Sequence, residues 1–240
     1  GSTLSVSGTT KINLNATEYD TDSYHQGTHA LHIEGKGSKL NLTGDINIFV
    51  SQKAENHTIP QIGASSIYAD EGAEVRLGNA NSTTKIWTFA DKPDNISVKG
   101  GASLTFVSTN NQIVGDFDLL ELTIQTNATE PSRLTAVFDG SQSYWVGDLL
   151  DNDYPFNFFH ETDVDLTFQN GAQWIYMDYG SISSITLNQG GIINLYDENI
   201  HRFWDQIGLS GYLDKDTLNK VHNYVRIGDL KGNGGIFRLD

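Results

Sequence analysis

The sequence predicts an all-β fold, a right-handed parallel β-helix, and three observations carry that expectation. First, one pattern recurs along the chain: apolar residues at i and i+2, Gly at i+5, and apolar residues again at i+8 and i+10. Each half alternates with period two, as a strand with one inward and one outward face does, and the Gly between the halves permits a tight corner. Second, the chain is rich in Thr, Ile, Val and Asn, with 24 Gly and only 4 Pro, and helical periodicity is scarce before residue 197. Third, Gly37, Gly72 and Gly101 fall at the 20 to 35 residue spacing usual for stacked repeats, which gives the chain roughly seven to ten turns. A corner of two short strands cannot bury its apolar face alone. Copies stacked about 4.8 Å apart can, because each apolar position then lies over its counterpart in a continuous column. An antiparallel sandwich or jelly roll also uses short strands and Gly turns, but it has no reason to keep this fixed register.

Taken in order, GSTLSV at the start carries half of the pattern. LHIEGKGSKLNL fits with one extra residue before Gly37. IYADEGAEVRL (Ile67, Ala69, Gly72, Val75, Leu77) and ISVKGGASLTF (Ile96, Val98, Gly101, Leu104, Phe106) fit without a gap. LTFQNGAQWIY and ITLNQGGIINL repeat it around Gly171 and Gly190, and GGIFRL at the end carries the other half. Two stretches stand outside the pattern. Residues 141–165 read as a long aromatic and acidic loop. Ile200, Phe203, Trp204 and Ile207 stand at i, i+3, i+4 and i+7, which predicts a short amphipathic helix near 198–212 covering a face or end of the stack.

Composition limits function. The chain has 15 Lys plus Arg against 30 Asp plus Glu, a formal net charge of −15, so its field repels phosphate, and nucleic acid is not an expected partner. The absence of Cys removes disulfides, thiolate nucleophiles and Cys-held metals. No apolar run is long enough for a membrane helix, and no signal-peptide pattern opens the chain. Gly1-Ser2 and the end at Asp240 read as the limits of a piece cut from a longer protein.

The C-terminal third carries a resemblance. GAQWIYMDYGSISSITLNQGGIINL followed by VRIGDLKGNGGIFRLD resembles the end of the passenger domain of classical type V autotransporters, the pertactin-like autochaperone region. The pattern of small residue plus Trp falls on Ala172 and Trp174. The Ser-rich turn falls on Ser181 to Ser184, and the strands on Ile185 and Leu187, on Gly190 to Leu195, and on Leu230 through Phe237 to Leu239. The segment between Asp197 and Tyr224 is longer than the family's connection, and Gly234 and Phe237 stand one residue further apart than its norm. The resemblance covers about residues 163–240 and divides the chain into turns 1–162 and a C-terminal unit 163–240.

It implies a bacterial virulence or colonisation factor: an adhesin exported through the outer membrane by its own C-terminal barrel, displayed at the cell surface, and meeting a host-cell or neighbouring-cell ligand. It also implies that the last turns nucleate folding during secretion. The residues expected to form that nucleus are Gly171, Trp174, Gly190, Gly191, Ile193, Leu195, Gly234, Phe237 and Leu239. Weak self-association through solenoid faces is a further expectation, opposed by the net charge.

Chemistry-bearing motifs are few. Neither G-D-S-G nor G-x-S-x-G occurs, so no serine hydrolase is expected and the chain reads as non-enzymatic, without cofactor. The one dense acidic and aromatic region offers Tyr144, Trp145, Asp148, Asp151, Asp153 and Tyr154 as ligand-binding candidates. Rings beside carboxylates suit sugar stacking and hydroxyl recognition, and in β-helix enzymes such groups cleave polysaccharides. The alternative reading is a local core beneath solvated acids. Asp151 and Asp153 match no calcium-loop pattern. His25, His29 and His32 have metal-like spacing, but strand parity sends His29 and His32 to opposite faces, so no metal site is expected. The six N-x-S/T sequons, at Asn15, Asn41, Asn56, Asn81, Asn95 and Asn127, follow from an Asn- and Thr-rich composition.

Overall fold

The computed structural model describes residues 1–16, 28–52, 64–89, 96–119, 128–150, 161–176, 179–195 and 224–238. These residues are all-β, with 21 strands and no helix. In chain order, β1 (Thr3–Ser7), β2 (Thr10–Ala16) and β3 (His29–Glu34) form a first layer. The second layer holds β4 (Lys39–Thr43), β5 (Ile46–Gln52) and β6 (Ser65–Asp70), and the third β7 (Glu74–Leu77), β8 (Thr83–Phe89) and β9 (Ile96–Val98). The fourth holds β10 (Ser103–Phe106), β11 (Asn110–Val114) and β12 (Phe117–Asp118), and the fifth β13 (Ser132–Asp139), β14 (Tyr144–Val146) and β15 (Leu149–Leu150). Then follow β16 (Thr162–Gln169), β17 (Gln173–Ile175), β18 (Tyr179–Leu187), β19 (Ile192–Asn194), β20 (Tyr224–Lys231) and β21 (Ile236–Arg238). The amphipathic helix expected near 198–212 lies outside the described residues.

All of these pairings are parallel, and up to β15 each strand pairs with the one three places later in the chain. The antiparallel alternative is thereby excluded. From β16 onward the partner is two places later, and the reason is β18. Its start continues the stack of β3, β6, β9, β12 and β15, with Ser181 opposite Leu150, and its end continues the stack of β1 through β16, with Ile185 opposite Leu166. One uninterrupted strand thus joins two stacks into a 13-stranded sheet, beside a second sheet of eight strands. β20 repeats this, pairing with both the start and the end of β18, so at the C-terminal end the third position of one layer and the first of the next are a single strand. Pairing runs without a break past residue 162, and one core spans both sides of that point.

The predicted columns are present. In the eight-stranded sheet the inward row reads Ile12, Ile48, Ile86, Ile113, Trp145, Trp174, Ile193 and Phe237. In the other sheet Val75, Leu104, Leu134 and Val164 form a row, and Phe138 lies flat on Phe168 with centroids 4.5 Å apart. The interior members of these rows are almost fully buried. Each stabilises the fold by roughly 1.5–3 kcal/mol, which is why parity is kept from layer to layer. At the two ends the rows meet no further layer: Leu4 is 59% exposed, Leu230 49% and Phe237 43%.

The glycines of the recurring pattern occupy the corners. Gly37, Gly72, Gly101, Gly171 and Gly190 all have φ between 74° and 89°. Backbone bonds from Ala73 to Asp70, Ala102 to Lys99, Ala172 to Gln169 and Gly191 to Asn188 close the turns. The copies do not fall in one column, however. Those around Gly37, Gly72 and Gly101 join the third strand of a layer to the first strand of the next, whereas those around Gly171 and Gly190 join the first strand to the second. The same sequence pattern serves two corners because both need one φ-positive residue between two alternating strands.

Polar residues also enter the interior. Asn111, 0% exposed, donates from Nδ2 to the carbonyls of Ser108 and Val137 and accepts at Oδ1 from Ser108 Oγ. Ser108 Oγ meets Thr84 Oγ1 at 2.6 Å, and Ser143 Oγ donates to the Thr109 and Asp139 carbonyls. Thr84, Ser108, Asn111 and Ser143 thus satisfy the backbone of one internal corner, where unpaired groups are costly.

Candidate functional site

The ligand-binding candidates divide. Asp151, Asp153 and Tyr154 lie outside the described residues. Trp145, read from sequence as a ring offered to ligand, is corrected: it is 0% exposed in the inward row. It stacks on Trp174 with centroids 4.9 Å apart and planes 5° apart, and its Nε1 donates to the Gly115 carbonyl at 2.9 Å. Trp174 repeats the bond one layer on, donating to the Gly147 carbonyl at 2.9 Å. The pair is a column filler with an internal donor ladder.

Tyr144 has outward parity but is 5% exposed, and it sits opposite Gln112 and Gln173. Burial pushes its phenol up to about 12, with the Trp87 indole pulling partly the other way. Asp148 is also buried, and its N–H donates to Asp116 Oδ1 at 2.8 Å. None of the three presents an accessible ring or carboxylate, and Tyr144–Val146 and Leu149–Leu150 are strands rather than part of a long loop.

Of the residues proposed for the nucleus, Gly171, Gly190 and Gly234 have positive φ, and a Cβ on Gly191 would clash with the Phe168 carbonyl oxygen. Trp174 and Ile193 are buried, and Leu195 is half-buried against the core. Phe237 was expected to fill the column and is instead half-exposed, because β21 ends its sheet. Leu239 lies outside the described residues.

The histidine parity argument is corrected too. His25 lies outside the described residues, but His29 and His32 are neighbours, with ring centroids 5.3 Å apart. The β3–β6 register omits Ala30 and Ser66, and Ser65, Ser66 and Ile67 are consecutively buried, so alternation breaks there. His29 stacks on Tyr68 at 4.7 Å and His32 meets the same ring edge-on at 5.2 Å. His29 Nδ1 also lies 2.5 Å from Ser65 Oγ, the contact of a nucleophile with its base. Three facts oppose catalysis there. Ser65 is 3% exposed. Burial, with His32 adding to it, lowers His29 to about 4, so it is a weak base. And His29 Nε2 has no hydrogen-bond partner among the described residues, so no carboxylate orients the ring.

Sequence reasoning missed an outward aromatic face on the eight-stranded sheet. Phe49 sits opposite Trp87, Phe89 is 5.7 Å from Phe49, and Lys85 Nζ lies 3.3 Å over the Trp87 ring. All four are half-buried. The signal was available in INIFVSQ and TTKIWTF, where Phe49, Trp87 and Phe89 fall on the polar parity. The same outward row continues through Val114, Val146 and Ile175, which are 4%, 2% and 0% exposed, so the face is half-open at one end and covered at the other.

A cleft of about 740 Å³ runs along the stacked corners beside Asp70, Glu71, Glu130 and Arg133, with mixed charge and an open mouth. Among the described residues no three His, Asp or Glu side chains converge for a metal. No family model matches the chain, and neither the curated proteins nor the solved structures include a match.

Proposed function

We propose that the chain is a right-handed parallel β-helix acting as a surface-displayed adhesin passenger, non-enzymatic, whose last layers nucleate folding during export. The observation that carries this reading is the unbroken parallel register of layer on layer, each placing one inward column over the next. Such a stack is stiff, grows by addition at one edge and projects whatever it carries, and βαβ-like crossover chirality favours the right hand. Its partners on this reading are a host-cell or neighbouring-cell surface ligand and the outer-membrane barrel that exports it, with weak self-association. The test is display of residues 1–240 on a bacterial surface, with bound host cells and autoaggregates counted. No gain over the barrel alone rejects adhesion by this segment. For the nucleus, limited proteolysis during a denaturant titration is expected to cut the N-terminal layers first, and earlier loss of 163–240 rejects it.

A second reading, glycan binding, is favoured by the outward aromatic face of Phe49, Trp87 and Phe89 rather than by the region after Tyr144. A glycan array with wild type and Trp87→Ala tests it: binding that the variant loses supports this reading, and no binding by wild type rejects it. New reducing ends from a polysaccharide panel would convert it to an enzyme.

A further inference from the structure

The His29, His32 and Tyr68 cluster sits across the last strand pair of its sheet. β3 ends the 13-stranded order, and β6 is its one partner in it. The backbone ladder between them pairs His29 with Ser65 and Leu31 to Glu34 with Ile67 to Asp70, and the three rings pack across the same two strands. His29 lies between Tyr68 and Ser65, and His32 closes on both rings.

Among the described residues, the charges facing the cluster are few. On β3, Glu34 Oε2 lies 3.5 Å from His32 Nε2. On β6, Asp70 Oδ2 accepts from the Tyr68 hydroxyl at 3.1 Å. On β9, Ser97 opposite Tyr68 is uncharged, and Lys99 beyond it is paired with Asp118 at 2.6 Å. β2, which packs against β3, has Lys11 as its one ionisable side chain. A proton on His29 must enter a ring whose Nε2 is buried without an acceptor among the described residues and which lies against His32, ring centroids 5.3 Å apart. Burial and that neighbour already hold His29 well below its ordinary range.

We propose that His29, His32 and Tyr68 form an acid-sensitive latch holding edge strand β3 on β6, and that protonation of both imidazoles releases β3 from the stack. Release exposes the next edge, β6, with Ile67 and Ala69 on its inward face. It is a local opening of an end strand, not unfolding of the core.

Hydrogen exchange on the full chain at pH 7 and pH 3.5, corrected for intrinsic rates, tests this. Protection of 29–34 is expected to fall at least ten-fold more than that of β7 and β10, and His29→Phe is expected to remove the difference. If β3 tracks β7 and β10 at both pH values, or if His29→Phe loses β3 as wild type does, the latch is refuted. Should His29→Phe fail to hold β3 at pH 7, His32→Gln keeps the test decisive. It must move the release to lower pH, and an unchanged midpoint overturns the proposal. A His29 proton-resonance midpoint near 6.5 in wild type also overturns it.

Discussion

Replacing Trp174 with Ala would open the interior column at one of its two indole rings. The side chain is 1% exposed, stacked on Trp145 at 4.9 Å, edge-on to Tyr176 at 5.6 Å, and bonded to the Gly147 carbonyl. Losing the buried ring costs about 3–5 kcal/mol, and the carbonyl left without its donor adds about 1–3 kcal/mol where no water reaches it. Trp174→Phe retains much of the ring contact but not the donor, so it should cost less, about 2–4 kcal/mol. The Trp145–Trp174 stack itself contributes roughly 0.5–1.5 kcal/mol, which a double-mutant cycle with Trp145→Phe isolates. Urea unfolding followed by circular dichroism measures the loss, with hydrogen exchange to locate it, because a layered chain can unfold in parts. Protection should fall most in β14, β17 and β19, the layers that touch the ring. A loss below about 1 kcal/mol for Trp174→Ala, or one as large in β4 and β7 as in β17, would refute the column reasoning.

Three further outcomes are expected. Gly191→Ala should destabilise more than Gly171→Ala in thermal melts, because its Cβ clashes with the Phe168 carbonyl while Gly171, at φ 89°, has 3.4 Å of room to Ser141 and bears only backbone strain of about 1–2 kcal/mol. Asn111→Ala should cost about 2–4 kcal/mol by leaving the Val137 and Ser108 carbonyls unpaired, and Asn111→Asp should cost more at neutral pH and recover on acidification, when the carboxyl can donate again. Tyr144, pushed up to about 12, keeps its proton in the fold while the unfolded chain loses it near 10, so stability should fall as pH rises from 10 to 12, and Tyr144→Phe should flatten that part of the curve.

The column residues were legible because parity is a physical requirement: Ile67, Ala69, Val75 and Leu77 are all at or near zero exposure, as alternation around Gly72 demands. What was not legible was which corner a copy occupies, since both corners impose the same constraint on the backbone. The misplacing of Trp145 has a more specific cause. Ala136 and Phe138 keep the first two positions of the pattern, but Gly140 comes one residue early and Trp145 stands five residues after it rather than three, so the template does not register there and YWV, a strand, read as the start of a loop. The histidine error came from assuming unbroken alternation where the ladder skips Ala30 and Ser66.

The direction of pairing sets how the molecule bears load. Hydrogen bonds between layers run along the stacking axis, so tension applied along that axis passes through the junctions as links in series, and the weakest link sets the rupture force. β1, β2 and β3 hold the next layer through five, seven and five matched residues. The junction from β10, β11 and β12 to the next layer has three, three and two. There the Phe117 and Trp145 rings, 5.0 Å apart, pack across the seam, so under tension aromatic contact shares the load with a thin set of backbone bonds.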